Sequence, residues 1–488
     1  MRYTVKKTNR PMRVSPFRVT VLCAIVLLVL ALVITAVTMG VKSAGQPIGS
    51  PTGEEISSSA LGGSNGTSIP SSSASQSHAG SAASKVPSAA QSQTGSAASK
   101  APAASVPAAG TSVTAKIANS DVLSADISIS MVGDVLIHQR MRNAGLVSGT
   151  KYDYNSYFSE IKYHFQKTDF NLFNMEGPID ANGGNKDLKS YPCFNYPYQI
   201  AEALKNAGFH TALTANNHAF DQGWKGVLST RNHLTSNGLD VVGTYENQEQ
   251  FDKPYIRDVK GVKVGVLAYS SLDNGMSGTV KSHVAYAMPR FKDNNTDDVP
   301  DMIAKAKALR NAGADFIVMA LHWGSEYGDQ PTNMQKQIAR LLAEGGVDVI
   351  LGDHSHCPQP IEVRKTNRDG KERNSLIVYS TGNFCADQTA LSTPLPKTQE
   401  GLLVSVGVTR DAHGAYISAA SYIPTLCYPD AMWKANGQPV GYRILPAGKY
   451  AQMTSKPANI SATEWQKCKN AWDRVPKLVG SDIACLAE

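Results

Sequence analysis

Ala212-Leu213-Thr214-Ala215-Asn216-Asn217-His218, followed by Asp221 and Gly223, is a short apolar strand pattern that runs straight into two amides and an imidazole. Strand ends are where α/β folds place their chemistry, because the strand fixes side-chain position while the following loop stays open to a ligand. On either side of it the same form recurs. Upstream, Ile127–Val132 alternates and stops at Gly133-Asp134, and Phe170–Met175 stops at Glu176-Gly177-Pro178. Downstream, Phe316–Leu321 stops at His322-Trp323-Gly324, and Val347–Leu351 stops at Gly352-Asp353-His354-Ser355-His356. Helical spacing over 154–166, 197–206, 224–236, 299–311 and 334–343 separates these strands, and 262–269 reads as a further buried strand. Beyond them, 361–364, 375–379, 402–408 and 416–423 read as strands with few helices between. βα units followed by a more antiparallel half predict an α/β fold of two sheets packed face to face with helices outside. Residues 431–488 form a C-terminal extension with one helix, over 462–472, and no readable role.

The strand ends bring Asp134, Glu176, Asn217, His218, His322, His354 and His356 into one list. Imidazoles, carboxylates and an amide make an oxygen–nitrogen ligand set suited to Zn, Mn or Fe, and too rich in nitrogen for Ca or Mg. Taken singly, Asp134 and Glu176 are ordinary turn acids and His322 an ordinary core histidine. A strand end carrying His354-x-His356 has few structural reasons to exist. So many candidates exceed one tetrahedral site and fit a pair of ions about 3.5–4 Å apart. His138, four residues after Asp134, stands evenly between ligand and helix-face histidine. The histidines at 164, 210, 233, 283 and 413 read as structural.

The first 18 residues carry six Lys or Arg and no acid, and residues 19–39 carry no charge. That run is long enough to cross about 30 Å of hydrocarbon as a helix. Its flanks put the N-terminus inside and the remainder outside. The reading is an uncleaved single-pass anchor over 19–41; a signal peptide cut near Ser43-Ala44-Gly45 competes with it. Residues 42–124 are rich in Ser, Ala and Pro and repeat Ser-Ala-Ala-Ser-Lys at 81 and 96, the composition of a disordered stalk. The net charge of +7 lies mostly in the basic tail, so the exterior part has no basic footprint for nucleic acid. Seven cysteines in 488 residues are no disulfide framework, although Cys427, Cys468 and Cys485 could include one bridge.

Across about 128–410 the chain resembles the CapA (PgsA) family of capsule and poly-γ-glutamate synthesis proteins, relatives of calcineurin-like metallophosphoesterases. The resemblance is carried by Gly133-Asp134-Val-Leu, Asn174-Met-Glu176-Gly-Pro-Ile179, Ala215-Asn-Asn-His218, His322-Trp-Gly324 with Glu326-Tyr327, Gly352-Asp-His354-Ser-His356, and Tyr379-Ser-Thr-Gly-Asn-Phe384. It implies a four-layer α-β-β-α metallophosphatase-like sandwich over 125–430, outside the membrane, with the site at the sheet edges. By the same resemblance Asp134 and His356 hold a first metal, Asn217, His322 and His354 a second, and Glu176 stands at the bridging position. His218 becomes the proton donor, Asp221 its catalytic companion, and Glu326 and Asn383 substrate-binding positions. Two departures stand out. The phosphoesterase Asp-x-His is replaced by Asp134-Val-Leu-Ile-His138, and the bridging acid is a Glu.

Two functions fit these residues. One is an exported metal-dependent hydrolase of phosphoesterase type, holding one or two divalent ions (Mn, Zn or Fe), in capsule or poly-γ-glutamate production. The other is a non-catalytic component of an anchored synthesis or export complex that binds the anionic polymer beside membrane synthetase subunits.

Overall fold

Phe316-Ile-Val-Met-Ala-Leu-His322 is apolar at nearly every position, and the fold buries both of its faces. Phe316, Val318 and Ala320 point into one core while Ile317, Met319 and Leu321 point into another. That two-sided burial is what a parallel strand covered on both faces requires. The computed structural model describes residue 117 and residues 121–388, 396–429 and 441–488. The expected tail, membrane span and most of the stalk lie outside the described residues. Among the described residues no helix is long and apolar enough to cross a membrane.

We number the strands of the two main sheets in chain order. They are β1 (Ile127–Leu136), β2 (Phe170–Met175), β3 (Thr211–Leu213), β4 (Asp240–Val242), β5 (Ile256–Val259), β6 (Val262–Ser270), β7 (Phe316–His322) and β8 (Val349–Asp353). After them come β9 (Ile361–Arg368), β10 (Lys371–Val378), β11 (Asn383–Ala386), β12 (Glu400–Asp411), β13 (Gly414–Pro429), β14 (Tyr442–Pro446) and β15 (Ala484–Cys485). A nine-stranded sheet runs β14-β13-β12-β1-β2-β3-β4, with β11 beside β1 and β15 beside β13. A six-stranded sheet runs β9-β10-β8-β7-β6-β5. The first four strands of the larger sheet pair in parallel, as do β6, β7, β8 and β10 of the smaller one. The later strands close both sheets with antiparallel pairs. This is a mixed α/β fold, as the order of patterns predicted.

One apolar core lies between the sheets: Ile127, Ile129 and Met131 of β1 and Val404 and Val406 of β12 share it with Val318 of β7 and Val349 and Leu351 of β8. On the outer face of the larger sheet, Phe173 and Met175 pack with α1 (Lys162–Lys167) and α2 (Gln199–Ala207) through Phe165, Ile200 and Leu204. α3 (Gly223–Ser236) splits its side chains, sending Val227 to the core between the sheets and Leu234 to this outer layer. On the outer face of the smaller sheet, α4 (Val299–Asn311) contributes Met302, Ala306 and Leu309. There α5 (Asn333–Glu344) adds Ile338 and Leu342. A capping box at Thr332 and Gln335 starts α5.

Two expected boundaries move. Ile117 and Val122 are buried, and the Ile117 amide donates to the Asp482 carbonyl at 3.2 Å, so the fold reaches back into the segment assigned to the stalk. The cut at 430 does not divide the fold either: β14 extends the larger sheet, and α6 (Ala462–Val479) places Val475 and Val479 in the core between the sheets. These residues were unreadable because their strands are short and their helix is amphipathic against a sheet made elsewhere. The described cysteines, among them Cys427, Cys468 and Cys485, are free thiols.

Candidate metal centre

The parallel strands of both sheets end at one edge, and there the side chains meet. β1 changes register between Val132 and Asp134, so that Asp134 faces Asn174 of β2 on one side and Asn383 of β11 on the other. Gly133 sits in this irregularity because a Cβ there would collide with the carbonyl oxygen of Gly382. Asp134 and Glu176 follow from β1 and β2, Asn217 and His218 from the turn after β3, His322 from the end of β7, and His354 and His356 from the turn after β8. His354 and His356 hold φ of 92° and 57°, a left-handed backbone that non-glycine residues adopt at a cost of about 1–3 kcal/mol each. Those two dihedrals curl the turn so that both imidazoles come back to the strand ends.

All of these side chains are buried. His322 Nε2 lies 2.9 Å from Asn217 Oδ1, 3.1 Å from His354 Nδ1 and 3.7 Å from Glu176 Oε1. His356 Nδ1 lies 3.1 Å from Asp134 Oδ2 and 4.0 Å from Glu176 Oε2. Two groups could therefore hold a metal ion, Glu176 with His322 and His354, and Asp134 with Glu176 and His356, the ligand atoms of each within 4.8 Å of one another. An ion bound at about 2.0–2.2 Å in tetrahedral geometry needs its ligands roughly 3–4 Å apart, which these separations meet. Glu176 belongs to both groups, and neither of its carboxylate oxygens has a hydrogen-bond partner. An unpartnered, fully buried carboxylate is costly unless a cation completes it. The donor set thus fits divalent metal.

Electrostatics follow from that burial. Removal from water, then the neighbouring Asp134, pushes the Glu176 carboxyl well above its ordinary range. Burial, then His354, pushes His322 well below the usual imidazole value, and burial, then His356, takes His354 down to about 3. For His356 burial acts downward, but its hydrogen bond to Asp134 wins and the net direction is up. Imidazoles that resist protonation keep their lone pairs for a metal.

Around the ligands stands a supporting layer. Asn174 Nδ2 donates to Asp134 Oδ1 at 2.8 Å and sits 3.4 Å from His322 Nδ1, linking side chains of the two sheets. Asp353 accepts from the Thr381 hydroxyl behind Asp134, and burial followed by Asp134 raises its carboxyl well above normal. Sequence reasoning quoted Asn174 and Asp353 within motifs without giving them a place in the site. The signal was available for Asn174, two residues before Glu176 and so on the same face of β2. His218 Nδ1 is held 2.8 Å from Asp221 Oδ2, which also accepts from the Phe194 amide at 2.7 Å.

Two further expected residues stand outside the two ligand groups. His138 joins neither ligand group; it precedes the helix Gln139–Gly145, its Nδ1 accepts from the Asp387 amide at 3.2 Å, and its ring packs edge-on to Phe194. The four-residue gap from Asp134 carries it past the strand end into the wall of the adjoining cavity. Asn383 is fully buried, with Oδ1 3.1 Å from His356 Nδ1 and Nδ2 donating to Gln388 Oε1 at 3.1 Å and to the Thr398 carbonyl at 2.8 Å. These contacts set it directly beside His356. Glu326 does line the cavity, about 280 Å³, together with His138, His218 and His356.

With the geometry in place, comparison with known proteins assigns the chain. Residues 128–388 match the family described as bacterial capsule synthesis protein PGA_cap, a span that contains every ligand candidate above. The chain belongs to that family. Among curated members of comparable sequence, the PGA biosynthesis protein CapA of Bacillus subtilis is 28% identical over 311 residues, covering 63% of this chain and 74% of that protein. The capsule biosynthesis protein CapA of Bacillus anthracis is 29% identical over 265 residues, covering 54% of this chain and 60% of that protein. Among solved structures, the calcineurin-like phosphoesterase YfkN from Bacillus subtilis aligns over 72% of this chain and 99% of its own, with TM-score 0.36 and 14% identity. A sulfate thiohydrolase SoxB from Thermus thermophilus aligns over 66% of this chain and 57% of its own, with TM-score 0.31 and 12% identity.

Proposed function

We propose that this member of the capsule synthesis family is a metal-dependent hydrolase of phosphoesterase type, anchored by residues 19–41 and working outside the membrane on capsule or poly-γ-glutamate material. The observation that carries the reading is Glu176, a buried carboxylate shared by two ligand groups and lacking a hydrogen-bond partner at either oxygen. Asp134, Glu176 and His356 would hold one ion, and Glu176, Asn217, His322 and His354 the other. Bound there, divalent ions supply Lewis acidity toward substrate oxygens and acidify water.

The chain's own residues supply the rest. Asp221 fixes the tautomer and rotation of His218 through Nδ1, leaving Nε2 toward the cavity, where a proton can pass to a leaving oxygen. Asn174 and Asn383 hold Asp134 and His356 in place, and the cores on either side exclude water from the ligands. The sequence pattern of basic tail, apolar run and Ser/Ala/Pro-rich segment supports the anchor, with the N-terminus inside and residues 431–488 part of the exported unit. The names of the relatives, a PGA biosynthesis protein and a capsule biosynthesis protein, support an anionic capsule polymer as the material handled; membrane synthetase subunits are the partners that an anchored chain of this kind would meet.

The test is metal analysis of the purified full chain after dialysis, with a generic phosphodiester assay alongside. About two transition-metal equivalents with hydrolysis is the expected result. A folded, metal-free, inactive protein refutes it. That outcome selects the second reading, a polymer-binding component of the synthesis complex. It is favoured by one observation: the group around Asp134 has three ligand candidates, Asp134, Glu176 and His356, and His138 does not complete it.

A further inference from the structure

Two cysteines that stand 42 residues apart in the chain share the outer core of the larger sheet. Cys385 lies on β11 and Cys427 on β13, and both pack in the apolar layer that holds Phe384 and Ile423. At 0% and 1% exposure they are sealed from solvent, and both are free thiols in the structure. Their strands are not successive in the ladder, since β12 runs between β13 and β1 while β11 pairs with β1. Register explains why they meet. β12 begins at Glu400, opposite Leu426, so Cys427 is the first residue of β13 beyond the end of β12. β11 enters the space that β12 leaves. Its Asn383 packs against Gly401 of β12, where a Cβ would collide with the Asn383 carbonyl, and Cys385 pairs with Val135 of β1. Gly401 in turn pairs with Thr425 of β13. Each cysteine is thus two residues along its strand from the level of Gly401, and the two strands touch there.

The pairing differs from the one that chain order suggested. Cys468 packs with Leu445 and Tyr450, and Cys485 pairs with Tyr422 of β13, so neither belongs to the layer around Cys427. Burial, then a hydrogen bond with the Cys427 thiol, pushes the Cys385 thiol well above its ordinary value. A buried thiol that resists ionisation is inert, so chemistry at this pair has to precede closure of the outer core or wait for its opening.

We infer that Cys385 and Cys427 form a disulfide when the chain folds in the presence of an external organic disulfide, and that this bond staples β11 to β13. One protein thiolate attacks a sulfur of the external disulfide and releases half of it as a thiol. The second then displaces the other half from the mixed disulfide. Two protein thiols are oxidised, the external disulfide is reduced to two thiols, and the two protons pass to the departing thiolates. The bond closes a long loop and restrains the unfolded chain. It also braces the strand that carries Asn383, whose Oδ1 lies 3.1 Å from His356 Nδ1. The oxidising compartment is the one given by the proposed placement outside the membrane. The pairing itself does not depend on the metal centre.

The experiment holds the full chain, in maltoside micelles, with mixed reduced and oxidised glutathione just below its melting temperature, where the core opens transiently. The protein is then unfolded, its free thiols are blocked with N-ethylmaleimide, and its peptides are mapped by mass spectrometry. The expected product is a peptide pair joined through Cys385 and Cys427, lighter by two hydrogens than the reduced pair. The oxidised protein should melt about 5 °C above the reduced form. Cys427→Ala should abolish the joined peptide and the gain in melting temperature together. Two blocked thiols after the incubation, a bond from either cysteine to a third, or an oxidised protein that melts no higher than the reduced one each overturns the inference. A gain that survives Cys427→Ala overturns it as well. Metal content enters none of these readouts, so the metal-centre reading and this one fail separately.

Discussion

The two sheets contribute different chemistry to one edge. The nine-stranded sheet supplies oxygen donors, Asp134, Glu176 and Asn217, whereas the six-stranded sheet supplies nitrogen donors, His322, His354 and His356. Each candidate group draws on both: Asp134 and Glu176 need His356, and Glu176 needs His322 and His354. Neither sheet alone carries a centre. The site is therefore a product of packing across the core between the sheets, and metal affinity and tertiary stability should move together.

Removing the shared acid is the strongest way to break this picture. Glu176→Ala takes a ligand from both groups, and both ions should be lost on dialysis, with phosphodiester turnover down by about 10³-fold or more, equivalent to several kcal/mol of Lewis-acid stabilisation. One equivalent retained in metal analysis would show that Glu176 is not shared. Next in size is His218→Ala, on the oxygen side but outside both groups. Turnover should fall by about 10²–10⁴-fold at near-normal metal content, the range for loss of a positioned proton donor. Activity that survives would remove His218 from the chemistry.

Single-ligand variants sharpen the comparison. Asp134→Ala should cost one ion and His354→Ala the other, so each protein should retain about one equivalent, in sites that differ in donor set. Metal spectroscopy on a Co²⁺-substituted protein reads the difference, and identical spectra would contradict the division between sheets. Chelation comes after these: with free metal at about 100 times its Kd, each bound ion contributes about 2.7 kcal/mol, so the melting temperature should fall by roughly 5–10 °C on adding chelator. An unchanged melting temperature would mean the ions do not join the two sheets.

The smallest effect belongs to the nine-stranded side alone. Burial lowers His164 on α1 and His210 just before β3 to about 4. The unfolded chain then takes up protons first, so stability is full above about pH 6.5 and is lost as pH falls toward about 4. Urea unfolding of the chelated protein at pH 7 and pH 5 should show this loss, and His210→Gln should flatten it. A slope untouched by that substitution would exclude His210 as a contributor.

What the sequence disclosed depended on pattern length. β2, an apolar-rich run stopped by Glu176-Gly177-Pro178, and α4, with its helical spacing, are bounded to the residue by the sequence. β4 and β11, of three and four residues, show no period of their own, and β14 and β15 exist because β13 offers partners to them. Ligand types were legible because strand ends are a small set of places. His138 and Asn383 are set by turns of backbone that spacing does not show, the one against Phe194 and the other beside His356. Asn174 is the converse: its face was predictable, but its bond to Asp134 depends on the register shift at Gly133.

One end of the molecule has a mechanical meaning. Ile117 is fastened to Asp482 ahead of β1 in the chain, and Asp134 lies about 23 Å along that strand from its first residue, Ile127. Any tether upstream of Ile117 therefore pulls on the end of the molecule remote from the metal centre. A pull applied through Ile117 would load the seam between the first and last segments of the fold, Ile117 against Asp482, before it reached the metal centre.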